Sequence, residues 1–275
     1  MGLEGLSKVL TPEHHTRVTY THEVRSQDLE NFGRNLENMR RVRRFITPQE
    51  FFASYGPGAE PPTRSTLVTF DDGLLSSFQA AQRVLNPLGI KAIFFIPTGM
   101  LELKTPDQAR QFVARCMYRM TRPPGNLTDD QFLPMDIDAI RQLVADGHMV
   151  LPHTHSHVDL KDIRDERAAQ DELLRPKKLL EALLGRPMEA MAFPIGTERQ
   201  AGGYAYRRIR ELYKFCFTAL NGANTATTDP YFLHRDCFPP EAPWAYVETV
   251  MNGAFDLVYK VKLRKLKALA ADSRR

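Results

Sequence analysis

The chain has 275 residues, 43% of them hydrophobic and 25% charged, the balance of a soluble globular protein rather than of a disordered segment or a membrane bundle. Its net charge of +4, from 37 basic and 33 acidic side chains, is too mild to imply a nucleic-acid partner. No apolar run approaches the roughly 18 residues that span a bilayer.

Residues 1–16 read as an N-terminal extension. They carry Glu13-His14-His15 where a secretory signal would have an apolar core, so a cytoplasmic chain is expected. A first strand is predicted over 17–21. A helix follows, with Leu29, Phe32, Leu36 and Met39 at three- and four-residue steps. Thr47-Pro48-Gln49-Glu50 combines a capping box with proline at the first helical position, which starts a short helix. The proline- and glycine-rich run 56–63 is a surface linker.

Residues 65–70 form the next predicted strand, and it ends directly on Asp71-Asp72-Gly73. A helix over 74–85 and a buried strand over 92–96 come next. A helix over 105–120 and a polar connection over 121–134 read as an elaboration above the rim of the sheet. A helix over 136–145, stopped by Asp146-Gly147, leads to a short strand over 148–151. That strand delivers His153-Thr154-His155-Ser156-His157. Then come a helix over 164–184 that Pro176 should kink or divide, a strand over 188–193, a helix over 204–213 and a strand over 215–220. A strand over 231–238 and a helix over 242–251 complete the series. Strands alternating with helices predict parallel βαβ units. Acids at the carboxyl end of a parallel strand are placed where α/β barrels form their sites.

Cys116, Cys216 and Cys237 are odd in number and widely spaced. A disulfide framework or thiolate metal site is not expected, and buried small hydrophobes are the better reading. Residues 255–275 carry seven cations among six large aliphatic side chains. The plainer reading is a last helix that packs one apolar stripe and solvates a basic face. The sharper one is a peripheral contact with anionic lipid.

The chemistry concentrates in the acid pair and the histidine cluster. Imidazoles and one carboxylate can hold a divalent ion while a second carboxylate acts as a base. In an extended strand all three histidines would share a face. On a helical turn His153 and His157 converge and His155 points away. Pro152 disfavours an interior strand position and so favours the two-histidine arrangement. Adjacent aspartates diverge on a regular strand, but a turn at Gly73 lets both face one site. The rival reading of the pair is a helix cap before Leu74, for which one acid suffices.

Thr69-Phe70-Asp71-Asp72-Gly73, with His153-Thr154-x-x-His157 and the lead-in Gly147-His148, resembles the polysaccharide deacetylase (NodB-homology) family. Ala192-Phe193-Pro194-Ile195-Gly196 is similar to that family's third motif. The resemblance runs over about residues 17–240. It implies a single-domain α/β fold, a distorted (β/α)7-type barrel over 17–254 with an insertion at about 101–135 and a basic tail at 255–275. It also implies metal-dependent amide hydrolysis of an N-acetylated sugar. On it Asp71 would be the general base, and Asp72, His153 and His157 would hold a divalent metal. Zinc is the first choice, with cobalt, nickel or manganese as alternatives. Phe193, Pro194 and Gly196 would contact substrate.

Many relatives place the catalytic acid on a late histidine, for which His234 is the candidate. A biofilm-polysaccharide branch places it after the first strand. Val18-Thr19-Tyr20-Thr21-His22 resembles that branch and favours His22. There the late strand carries Leu-x-Arg, matched by Leu233-His234-Arg235, so Arg235 would orient Asp71. The sequence departs from the pattern at Thr21, at Leu151-Pro152, and at Phe193 and Ile195, where tyrosines are common. None of these removes a ligand or the base. The motifs specify carbonyl chemistry and not what flanks it. A deformylase, an O-acetyl esterase or an amidase on a non-sugar amine therefore stays open as the alternative. A non-catalytic binding protein would have no use for a base beside a metal.

Overall fold

The protein was analysed as a computed structural model that describes residues 12–55, 58–120 and 128–271. Most of the N-terminal extension, part of the 56–63 linker, residues 121–127 of the polar connection and the tail with Arg274 and Arg275 lie outside the described residues. The strands are β1 Thr16–Thr21, β2 Arg44–Phe45, β3 Ser65–Phe70, β4 Ala92–Ile96, β5 Met149–Pro152, β6 Ala190–Ala192, β7 Phe215–Phe217 and β8 Asp236–Cys237. Every ladder between them is parallel. The order β5-β4-β3-β1-β8 forms one curved sheet, with β2 beside the start of β3, and β6-β7 forms a second.

Two seams join the sheets. The His153 ring donates from Nδ1 to the Ala192 carbonyl at 2.8 Å, stitching the end of β5 to the end of β6. On the other side Thr218 N–H donates to Leu233 O and Arg235 N–H to Leu220 O, 2.8 and 3.0 Å. The result is a single-domain α/β fold, a (β/α)7-type barrel distorted where side chains and short bridges replace full ladders.

Local sequence explains the elements. β3 and β4 are buried at every residue. β4 is the continuous apolar run expected of a parallel sheet covered on both faces, while β3 combines Leu67, Val68 and Phe70 with hydroxyls such as Ser65 and Thr69 that are hydrogen-bonded inside. Phe70 and Phe94 stack with centroids 4.8 Å apart across the pair. The helix Leu29–Arg40 buries Phe32, Leu36 and Met39, the predicted stripe. At Thr47 both halves of the capping box form, and the helix Pro48–Ala53 follows. Pro152 is the last residue of a strand with a hydrogen-bonded neighbour on one side only, which is how a strand accommodates proline.

The predicted 164–184 helix is divided ahead of Pro176. A π turn, Gln170–Leu174, separates the α segments Glu166–Ala169 and Arg175–Leu184, and Pro176 lies in the first turn of the second. The predicted strand over 231–238 is corrected. Asp229 accepts from the Tyr231 N–H and opens a 3-10 turn over Pro230–Phe232, leaving the ladder only at Asp236–Cys237. The cysteines are free thiols, and burial pushes Cys216 up to about 12, so it is a small core hydrophobe.

Candidate active site

The site residues sit where parallel strands end: His22 after β1, Asp71 and Asp72 after β3, His153 and His157 after β5, and 193–196 after β6. The turn after β3 carries two consecutive left-handed residues, Asp72 at φ 71° and Gly73 at φ 66°. This twist brings neighbouring carboxylates to one side. Gly73 is required twice over, because a Cβ there would lie 2.9 Å from the Ile96 side chain and would strain the backbone. The insertion pins the turn: Met135 N–H donates to Gly73 O at 2.9 Å and Leu75 N–H to Leu133 O at 2.8 Å. Neither aspartate caps the next helix, whose N-cap is Leu74 with no side-chain cap bond. The capping alternative is therefore excluded.

Asp71 and Arg235 form a buried fork. Arg235 Nη1 donates to Oδ1 at 2.6 Å and Nη2 to Oδ2 at 2.9 Å. Arg235 Nε donates to Thr218 O at 2.7 Å, and its guanidinium lies 4.9 Å from the Tyr20 ring centre and 5.3 Å from that of Phe95. Burial is the largest single influence and would raise the Asp71 pKa, but the charge and hydrogen bonds of Arg235, with His153 and His22, together outweigh it and the net shift is downward. Asp71 is thus held ionised with a fixed plane.

Asp72 faces the histidines. Its Oδ1 is 3.1 Å from His157 Nε2 and 3.7 Å from His153 Nε2, yet it has no hydrogen bond of proper geometry although it is buried. Both histidines commit Nδ1–H to a carbonyl: His153 to Ala192 O, and His157 to Cys116 O at 2.9 Å. That leaves Nε2 of each aimed inward. One atom from each of the three lies within 4.8 Å of the others. Two imidazole nitrogens and an orphaned carboxylate oxygen converging on a buried point are what a divalent cation takes as ligands. Burial pushes His153 down to about 4, keeping its lone pair free. Burial also works against the charge on His157, but Asp72 reverses this and the net shift is upward. For Asp72 burial is again the largest single influence, but His157, with His22 and His153, together outweigh it, and the carboxyl falls well below its usual range.

The histidine loop is braced by residues that sequence reasoning missed. Glu172, in the π turn before Pro176, accepts from His155 N–H at 3.0 Å, Ser156 N–H at 2.9 Å and Ser156 Oγ at 2.6 Å. Gly99 N–H donates to His155 O at 2.7 Å. Thr154 and His157 both adopt φ of 59°, a conformation costing about 1–3 kcal/mol for such residues and found where structure over-determines it. Cys116 offers its carbonyl because the helix beginning at Pro106 ends at Met117, leaving its last C=O groups unpaired. The only sequence signal for these braces was the proline inside a helical pattern. His155 turns away, its Nδ1 2.9 Å from Thr98 Oγ1.

His22 is exposed, with its ring edge-on to Tyr20 at 5.6 Å, and its charge acts on both Asp71 and Asp72. His234 is on the opposite side of its segment. Arg235 points into the site, so its neighbour is turned to the other side, where burial first, and then Lys267 and Arg17, lower it to about 4. The third motif is differently disposed from expectation. Phe193 is fully buried with its ring edge-on to Tyr206 at 5.9 Å, so its side chain is core and not rim. Pro194 and Gly196 are buried, and a Cβ on Gly196 would lie 2.4 Å from Ala219 N. The residue that projects is Ile195, 39% exposed at φ 62°.

A parallel α/β barrel with an Asp-His-His cluster and a second, arginine-held aspartate at its carboxyl rim defines a class of hydrolase scaffolds. The chain belongs to the polysaccharide deacetylase family, whose sequence profile, described as "Polysaccharide deacetylase", matches residues 58–209. It is 23% identical over 209 residues to YxkH of Bacillus subtilis (strain 168), whose name assigns it provisionally to the polysaccharide deacetylases. That match covers 74% of this chain and 64% of YxkH, so the chain spans just under two thirds of that relative. Among solved structures it is similar to IcaB from Ammonifex degensii, with TM-score 0.66, 23% identity, and 87% of this chain and 98% of that one covered. It is also similar to the Streptococcus pyogenes deacetylase PplD, in complex with acetate, with TM-score 0.67, 17% identity, and 87% and 99% covered. These likenesses establish the fold.

Proposed function

We propose that this protein is a metal-dependent N-deacetylase that releases acetate from an N-acetylated amino sugar, in a polysaccharide or in its lipid- or nucleotide-linked precursor. The observation that carries the reading is the orphaned Oδ1 of Asp72 facing two inward imidazole nitrogens, beside a second aspartate clamped by Arg235. Asp72, His153 and His157 would hold the divalent ion, zinc before cobalt, nickel or manganese on the mixed nitrogen and oxygen donor set. When bound, such an ion polarises the substrate carbonyl and lowers the pKa of a water.

The rest is done by the chain. Asp71, kept ionised by Arg235, takes the proton from the attacking water. The fork fixes which carboxylate edge faces the substrate, so the base needs no reorganisation as charge develops. His22, exposed at the rim and within electrostatic reach of both aspartates, donates a proton to the departing amine. Ile195 presents an apolar surface at the rim against which a sugar ring can rest. The family and the motif set support the sugar substrate.

The test is acetate release from N-acetylglucosamine oligomers, with the amine product identified by mass. Asp71→Asn and His153→Ala should each abolish it. Release of acetate from O-acetyl sugars alone, or activity surviving both substitutions, would overturn the assignment.

A further inference from the structure

The C-terminal helix, Asp256–Ala271, has two apolar faces, and the barrel uses one. Its inner face buries Leu266 and Ala270, with Tyr259 and Leu263 packed beside them, against a cluster that includes Tyr206, Ile209 and Phe232. On the far side Leu257, Val258, Val261 and Leu269 are 57, 62, 55 and 44% exposed. At about 100° per residue Leu257 and Val261 lie opposite Leu266 and Ala270, with Val258 and Leu269 adjoining them. A helix that merely closed a barrel would be polar there. Phe255 and Tyr246, 38 and 40% exposed with rings 6.5 Å apart, extend the apolar area at the helix start.

Charge identifies the occupant. Lys260, Lys262, Arg264, Lys265 and Lys267 lie among these residues, and Asp256 is the single acid in the helix. Its carboxylate is turned inward, taking Arg17 Nη1 at 2.9 and 3.0 Å. From Leu257 to Leu269 there is no Asn, Gln, Ser or Thr, only aliphatic residues, one tyrosine and cations. A protein interface would be depleted in lysine and would need paired polar groups at its rim. Lysines and arginines beside exposed aliphatic side chains suit a surface that is apolar below and anionic above, because their stems lie along the apolar layer while the charges reach phosphate.

We propose that this outer face docks on an anionic phospholipid surface, with the helix lying in the plane of the interface. No helix among the described residues is long and apolar enough to cross a membrane, so the contact is peripheral. The Arg17–Asp256 pair, in which Nη2 also donates to Val250 O at 2.7 Å, fixes the helix start on the barrel. The lipid-facing side is thus presented without unfolding anything.

The experiment is flotation of the full chain with phosphatidylcholine vesicles and with vesicles of phosphatidylcholine and phosphatidylglycerol in equal parts. The protein should float with the anionic vesicles only, and high salt should release it. Lys260→Gln/Arg264→Gln/Lys265→Gln should weaken partitioning by about 100-fold, on the order of tenfold or less per cation. Leu257→Glu/Val261→Glu should weaken it at least about tenfold. Circular dichroism and urea midpoints should match wild type, since all five residues are exposed. No flotation of the wild type, or flotation of both variants equal to wild type, overturns the proposal. So does a wild-type dimer in light scattering that Leu257→Glu/Val261→Glu renders monomeric, which would give the face to a second copy.

Discussion

Replacing Arg235 by methionine keeps a side chain of similar length but removes the fork on Asp71. Four contacts go at once: two bonds to the carboxylate, one to Thr218 O and one to Thr69 Oγ1 at 3.3 Å. Asp71 is then left buried, at 3% exposure, without the guanidinium that was paired with it. Breaking a buried pair from one side costs about 3–5 kcal/mol, mostly the penalty of the stranded partner. Asp71→Asn strands Arg235 in turn. The double variant strands neither, so its destabilisation should fall short of the sum by about 2 kcal/mol in a double-mutant cycle. Arg235→Lys keeps the charge but not the planar two-point contact and should lie between wild type and Arg235→Met. Urea unfolding of the five proteins provides the measurement. Costs that add to within about 0.5 kcal/mol would show that the two residues are not coupled as the fork requires.

His148 tests a different kind of burial. Its Nδ1 accepts from Ala92 N–H at 3.1 Å while Nε2 donates to Asn86 Oδ1 at 3.0 Å, an arrangement that demands the neutral ring. Burial and Lys91 lower it from 6.5 to about 4. Its contribution is complete above the unfolded value and is lost as pH falls from 6.5 toward 4, about 3 kcal/mol in all. His148→Gln should lose that part of the acid sensitivity in urea titrations run across this window, and an unchanged slope would contradict it. Glu172→Ala should leave the fold intact but loosen the histidine loop. Zinc affinity measured by competition with a chelator should drop about 10–100-fold, whereas unchanged affinity would remove Glu172 from the site's support. Gly196→Ala should destabilise by about 2 kcal/mol or more through both φ and the approach of Ala219, and a thermal midpoint equal to wild type would refute the close contact.

The readable parts of the sequence were those in which local chemistry and fold agree. The strand at 65–70 was legible from Leu67, Val68 and Phe70 and that at 92–96 as an apolar run, the capping box at Thr47 announced its helix, and the acid pair and histidines stood at strand ends. What escaped depends on contacts distant in sequence. Nothing local says that Cys116 will offer its carbonyl to His157, or that Glu172 will fold back on Ser156. Phe193 looked like a rim aromatic because the motif places it beside Pro194, but its ring packs into the core against Tyr206, and the left-handed backbone at Ile195, φ 62°, leaves that residue outside. The 231–238 strand failed on Asp229-Pro230, a turn signal outweighed by the apolar residues after it. His234 and Arg235 illustrate a finer limit. Alternation guarantees that only one of two neighbours faces the site, and tertiary packing decides which.

The proposed role of Asp72, His153 and His157 is to hold a catalytic divalent ion. Its most direct test is metal content measured together with acetate release on the same protein. The expected result is one zinc-class ion per chain, loss of acetate release when a chelator strips it, recovery on adding the ion back, and no binding in His153→Ala. Acetate release that persists in the stripped protein, or full metal binding by His153→Ala, would contradict it.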